Sequence, residues 1–238
     1  MQRGQTPLQE GSDPFAVRIQ NILISARQGG FMEIKICGLS RAEDIDAVNA
    51  CHPDIIGFVF APKSRRYVPP QKAFELKRRL DKGIRSAGVF VDETPEIIAE
   101  LVHRQVIDIV QLHGRESAAF MEELKRLCDV PVVKAVSMTK DGFAEELRQW
   151  ELSTVDYLLL DSGAGGTGQQ FDYDRITQLR KPFFLAGGLT PENVTEATLR
   201  VQPFGVDMSS GVETDGKKDR KKIEEAVRRI RNVERKIR

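Results

Sequence analysis

From residue 32 onward the chain repeats one pattern: a short aliphatic or β-branched run, a turn, then a longer charged stretch with helical spacing. The runs are "EIKICGL" from Glu33, "DIIGFVFA" from Asp54, "RSAGVFVD" from Arg85, "IDIVQLHG" from Ile107, "PVVKAVSM" from Pro131, "DYLLLDS" from Asp156, "FFLAGGL" from Phe183 and "FGVDMSS" from Phe204. Near-continuous apolar runs of this length suit parallel strands covered on both faces, and the stretches between them suit the covering helices. Eight such units predict a closed (β/α)8 barrel over 32–238, with a doubly wound open sheet as the alternative. Helix starts are also legible. Ser40 with Glu43 reads as a capping box, and Thr94-Pro95 and Thr190-Pro191 as caps followed by a first-turn proline. The last helix, from about Lys217, carries Ile223, Val227, Ile230 and Ile237 on one stripe, so its many basic residues read as a solvated face.

Composition narrows the function. Lys plus Arg number 36 against 35 Asp plus Glu, which gives a net charge of +1 and no case for a nucleic-acid or membrane-surface partner. No run of about 18 apolar residues is present to span a membrane. Cys37, Cys51 and Cys128 are odd in number and without metal-ligand spacing, and His52, His103 and His113 form no i, i+4 pair. The expectation is a reduced, cytoplasmic protein with no metal, working as a monomer or a homodimer. Residues 1–31 lack the pattern of a secretory signal and read as an extension, either a short amphipathic helix around Phe15–Leu23 or a leader from a misplaced start.

In a barrel of this kind reactive groups belong at the C-terminal strand ends and in the loops that follow. Cys37 ends the first run, His113 the fourth, Asp161 the sixth, and Asp207 with Ser209 the eighth, while Arg65 and Arg66 follow the second. Glycine-rich loops follow the sixth, seventh and eighth runs, "DSGAGGTGQQFD", "AGGLTPENV" and "SSGVETDGKKD". Such loops let backbone N–H groups approach an anion, so a phosphate monoester is the expected ligand. Strand alternation puts Lys35 on the face of Cys37, about 7 Å away, where its charge would lower the thiol pKa and make Cys37 a base. Asp161 across the mouth would then be the acid, and an acid, a base and a phosphate anchor together describe a sugar-phosphate isomerase. His113 reads as a pocket histidine outside the catalytic pair, and Gln111 as barrel filling.

The stretches "KICGLSRAED", "GFVFAPKSRRYV", "GVFVDETPEII", "VQLHG", "LLLDSGAGGTGQQFDY", "AGGLTPENV" and "VDMSSGVE" resemble the phosphoribosylanthranilate isomerases of tryptophan biosynthesis, in order and from Lys35 to Glu213. The resemblance implies a barrel of the ribulose-phosphate-binding type and a cofactor-free Amadori rearrangement of a small phosphoribosyl substrate. It implies Asp161 as general acid on the ribose ring oxygen, Cys37 as general base at C2, and Arg66 holding the anthranilate carboxylate. Gly166, Thr167, Gly168, Gly187, Gly188, Ser209, Ser210 and Gly211 map to the phosphate cradle, and Asp207 to a polar residue of the substrate pocket. Two departures stand out: Gln169 replaces a basic residue common in the family, and residues 1–31 precede the usual start. The rival readings are a metal-dependent phosphosugar epimerase, which would need a His and Asp constellation at several strand ends, and a non-catalytic phosphoribosyl-binding module.

Overall fold

The computed structural model describes residues 32–163, 170–176 and 179–237. Eight parallel strands close into a barrel in chain order: β1 (Glu33–Cys37), β2 (Ile55–Val59), β3 (Arg85–Phe90), β4 (Ile109–Leu112), β5 (Val132–Ser137), β6 (Tyr157–Asp161), β7 (Phe183–Leu185) and β8 (Gly205–Met208), with β8 pairing back onto β1. The open-sheet alternative is thereby excluded. Each strand is two to four residues shorter than its apolar run, mainly because the run continues into the loop that follows the strand.

The covering helices are α1 (Ala42–Cys51), α2 (Pro70–Lys77), α3 (Pro95–His103), α4 (Ala118–Leu127), α5 (Phe143–Leu152), α6 (Val194–Val201) and α7 (Arg220–Ile237). Among the described residues the β6–β7 connection holds only a 3-10 turn, Tyr173–Arg175, where a full helix was expected. The expected cap at Ser40 with Glu43 lies one residue early. It is the Asp44 carboxylate that accepts from the backbone N–H groups of Ser40 and Arg41, each at 3.0 Å. Thr94 does precede α3, but α6 begins at Val194 rather than after Thr190, because Asn193 Oδ1 accepts from Thr190 N at 2.8 Å and its amide donates to the Gly188 carbonyl at 2.8 Å, folding 190–193 into a turn.

Alternation sorts the side chains. Ile34 and Ile36 of β1 point outward into the main core under the helices, together with Ile56, Phe58, Phe90, Val110 and Leu160. Ile55, Ala87, Ile109, Val133, Leu159 and Phe184 fill the barrel interior. Each fully buried aliphatic or aromatic side chain of this sort contributes roughly 1.5–3 kcal/mol. Helix α7 closes the ring by burying Ile223, Val227, Ile230 and Val233 against α1 and α6. Before it, residues 213–218 form a short hairpin, β9 (Glu213–Thr214) and β10 (Lys217–Lys218), instead of the first turn of the helix. The expectations for residues 1–31 and for Gly166, Thr167, Gly168 and Gln169 lie outside the described residues.

Candidate active site

The C-terminal end of the barrel holds a cavity lined by the ends of β1, β2, β3, β4, β6, β7 and β8 and the loops that follow them. Cys37, Arg66, Asp161 and Asp207 all face it, as do Gly187, Gly188, Ser209 and Ser210. The eight come from five separate parts of the sequence. Gly211 does not line the cavity. A side chain there would overlap the Leu189 carbonyl, so its place is the close approach of the loops after β7 and β8.

Cys37 is the inward residue at the end of β1. It lies beside Gly57 of β2, where a Cβ would come within 2.7 Å of its sulfur, so the glycine keeps room for the thiol. Its carbonyl accepts from Ser209 Oγ at 3.0 Å, which ties β1 to the β8 loop. Beneath it Lys35 is buried, as alternation predicts, but its ammonium is paired with Asp207 Oδ2 at 2.9 Å. Asp207 raises the Lys35 pKa against the opposing effect of burial, so the ammonium stays charged. For Cys37 the outcome is the reverse of the expected one. Burial pushes its pKa up and the Asp207 charge adds to that; the cations Lys35 and Lys218 oppose both and are outweighed. The resting group is a neutral thiol. Asp207 keeps one oxygen, Oδ1, buried without a partner among the described residues.

On the opposite wall Asp161 ends β6. Burial raises its pKa, but His113 and the backbone N–H of Ser162, donating to Oδ1 at 2.7 Å, carry the net direction below the ordinary carboxylate value. His113 Nε2 lies 3.6 Å from Asp161 Oδ2. Gln111 Nε2 stands 3.1 Å from His113 Nδ1, which holds the imidazole from the side away from Asp161. Gln111 is therefore more than filler, and His113 touches the proposed acid. Three residues after that histidine, Glu116 forms a buried pair with Lys134 of β5 at 2.7 Å that holds the turn after β4, Lys134 also donating to the Gly114 carbonyl at 2.6 Å.

Arg66 lies between these walls, its stem across Gly38. A side chain on Gly38 would overlap Arg66 Cδ, and the residue sits at φ 84°, so only glycine serves there. The Arg66 guanidinium grips Glu213 with Nε at 2.6 Å and Nη2 at 3.0 Å. Sequence reasoning missed Glu213 and its second buried partner, Lys218, at 2.6 Å. The available signal was the last residue of "SSGVE", which reads naturally as the end of a phosphate loop. Val59, Ala61, Val89 and Val91 form an apolar wall of the same cavity. Among the described residues no group of three or more His, Cys, Asp or Glu side chains could hold a metal ion, and no helix is long and apolar enough to cross a membrane.

A closed parallel barrel with a thiol, a carboxyl, an arginine and glycine- and serine-rich loops at one mouth defines a (β/α)8 enzyme of the acid–base, phosphosugar-handling class. The model of the N-(5'-phosphoribosyl)anthranilate (PRA) isomerase family matches residues 34–229, and the chain belongs to that family. A curated N-(5'-phosphoribosyl)anthranilate isomerase of Endomicrobium trichonymphae is 41% identical over 205 residues, which cover 84% of this chain and 99% of that one. The crystal structure of phosphoribosyl anthranilate isomerase from Thermus thermophilus matches with a TM-score of 0.75 at 32% identity, over 85% of this chain and 100% of that one. A phosphoribosyl anthranilate isomerase solved in complex with reduced 1-(o-carboxyphenylamino)-1-deoxyribulose 5-phosphate matches with a TM-score of 0.71, also at 32% identity and over 85% and 100% of the two chains.

Proposed function

We propose that residues 32–238 form one catalytic barrel that converts N-(5-phosphoribosyl)anthranilate to 1-(2-carboxyphenylamino)-1-deoxyribulose 5-phosphate in tryptophan biosynthesis. The observation that carries this is the placement of Cys37 and Asp161 on facing walls of one cavity that also holds Arg66 and the Gly187, Gly188, Ser209 and Ser210 loops. The loops take the phosphate, joined by Gly166, Thr167 and Gly168 from the loop after β6. Arg66 takes the anthranilate carboxylate, and the apolar wall of Val59, Ala61 and Val89 takes the ring. Two anchors at the ends of the substrate leave the ribose between acid and base.

Asp161 gives a proton to the ring oxygen as the C1–O bond breaks, and the anilino nitrogen lone pair forms the C1–N double bond. The Cys37 thiolate then takes the C2 proton. The freed electron pair becomes the C1–C2 double bond of an enolamine and the C1–N pair returns to nitrogen. Transfer of the enol proton to C1 gives the ketone. Every step is a proton transfer with a heavy-atom rearrangement, so the reaction balances without an electron acceptor or any other cofactor. The unliganded site holds its proton on the other partner, with Cys37 neutral and Asp161 ionised. The reactive form has the same number of protons with one relocated, so it is a minor tautomer at any neutral pH.

The three free cysteines support a reducing, cytoplasmic setting. Complementation of a tryptophan auxotroph lacking this isomerase tests the reading as a whole: the chain is expected to restore growth, whereas failure of the folded protein to do so, with no turnover in vitro, would reject it.

A further inference from the structure

The arginine assigned to the substrate carboxylate already holds a carboxylate of the protein itself. Glu213 takes the Nε and Nη2 hydrogens of Arg66 on its two oxygens. It is not a loose stand-in that a ligand would push aside, because its side chain is 5% exposed and Lys218, itself 1% exposed, bonds Oε1 at 2.6 Å. Lys218 in turn donates to the Ser209 carbonyl at 2.9 Å, and Ser209 Oγ donates to the Cys37 carbonyl. Burial raises the Glu213 pKa, but Arg66 and Lys218 outweigh it and keep the group ionised.

A guanidinium presents two forked edges to carboxylates, Nε with one terminal nitrogen and the two terminal nitrogens together. Glu213 occupies the first. The second edge has no acceptor among the described residues, and Arg66 lines the cavity while Glu213 does not. We propose that Glu213 is the positioning residue for Arg66, fixing its Nε edge so that the Nη1–Nη2 edge is held ready for the ring carboxylate of the ligand. The Arg65–Glu213 contact at 3.0 Å adds little, since Arg65 is 57% exposed. The chain of contacts through Lys218 and Ser209 sets the carboxylate end of the ligand in register with Cys37. Two long side chains that would otherwise lose rotamer freedom on binding are ordered beforehand. This inference rests on the isomerase reading and concerns how that site selects an aromatic carboxylate.

The test compares two inhibitors, the reduced product analogue and the same molecule without its ring carboxyl group, on the wild-type protein, Glu213→Gln and Glu213→Asp. The wild type is expected to bind the carboxylated inhibitor more tightly than the other. Glu213→Gln is expected to lose about tenfold in affinity for the carboxylated inhibitor and none for the other, as one charge-assisted contact is weakened. Glu213→Asp, which keeps the charge on a shorter arm and serves if the glutamine variant does not fold, is expected to lose selectively by a smaller factor. Equal losses for both inhibitors in a folded variant would make Glu213 merely structural, and unchanged affinities would make it irrelevant; either outcome overturns the proposal. A wild type that binds neither inhibitor and shows no turnover would instead reject the isomerase reading.

Discussion

On the β1–β8 wall of the cavity a neutral thiol stands above a buried Lys35–Asp207 ion pair, while on the β4–β6 wall an ionised carboxylate faces a half-buried histidine. Both reactive groups are buried, Cys37 to 7% and Asp161 to 8% exposure, yet their proton affinities move in opposite directions. The difference lies in what the neighbours donate. At Asp161 the hydrogen bonds aimed at its charged form outweigh burial, whereas at Cys37 burial outweighs the opposing effect of Lys35, whose ammonium is also paired with Asp207. Proximity of a lysine is thus insufficient to activate a cysteine when a carboxylate competes for it.

Removing either reactive group should have the largest effect. Cys37→Ala and Asp161→Asn are each expected to cut kcat by about 10² to 10⁴ while circular dichroism stays native; near-normal turnover in either would remove that residue from the mechanism. The ion pair offers the sharpest contrast in stability. Lys35→Met leaves Asp207 charged and unpaired in the barrel interior, and urea unfolding should show a loss of about 3–5 kcal/mol. Most of that loss should return in the double variant Lys35→Met/Asp207→Leu, whereas a single variant as stable as the wild type would mean the pair is not buried as described.

Smaller effects should come from the edges of the two walls. Gly38→Ala, at φ 84° and against the Arg66 stem, is expected to cost about 1–2 kcal/mol and to raise KM more than it lowers kcat. An unchanged KM would place Arg66 outside substrate binding. His113→Asn should barely change stability, but it removes a partner that lowers the Asp161 pKa. The acid limb of the rate profile should therefore move to higher pH, and an unmoved limb would detach His113 from Asp161. The sign for stability follows the same shift. A carboxyl whose folded pKa lies below its unfolded one stabilises the fold at neutral pH, and that contribution fades as pH drops below about 4.

Much of this arrangement was legible in the chain because it follows from strict periodicity. Eight apolar runs predict the barrel, and their C-terminal portions place Cys37, Asp161 and Asp207 at one mouth. Alternation correctly put Lys35 on the Cys37 face, but it could not say that Asp207, 172 residues away, would take the ammonium. Cross-barrel pairs such as Arg66–Glu213 and His113–Asp161 depend on strand register and loop path, which no local pattern encodes. The start at Thr94 held, but two others moved for a nearer reason: the Asp44 carboxylate takes the Ser40 and Arg41 N–H groups, and Asn193 bonds the Thr190 N–H and the Gly188 carbonyl, which folds 190–193 into a turn.

The central claim is that the resting site carries its single mobile proton on Cys37 and must move it to the Asp161 side before reaction. The most direct measurement is kcat/KM against pH, which reports the free enzyme. A lowered carboxyl and a raised thiol predict a flat plateau from about pH 5 to about pH 8, with rate lost on both sides as the pair gains or gives up its proton. A limb that rises through neutrality, as a thiol with a lowered pKa would give, would contradict this account.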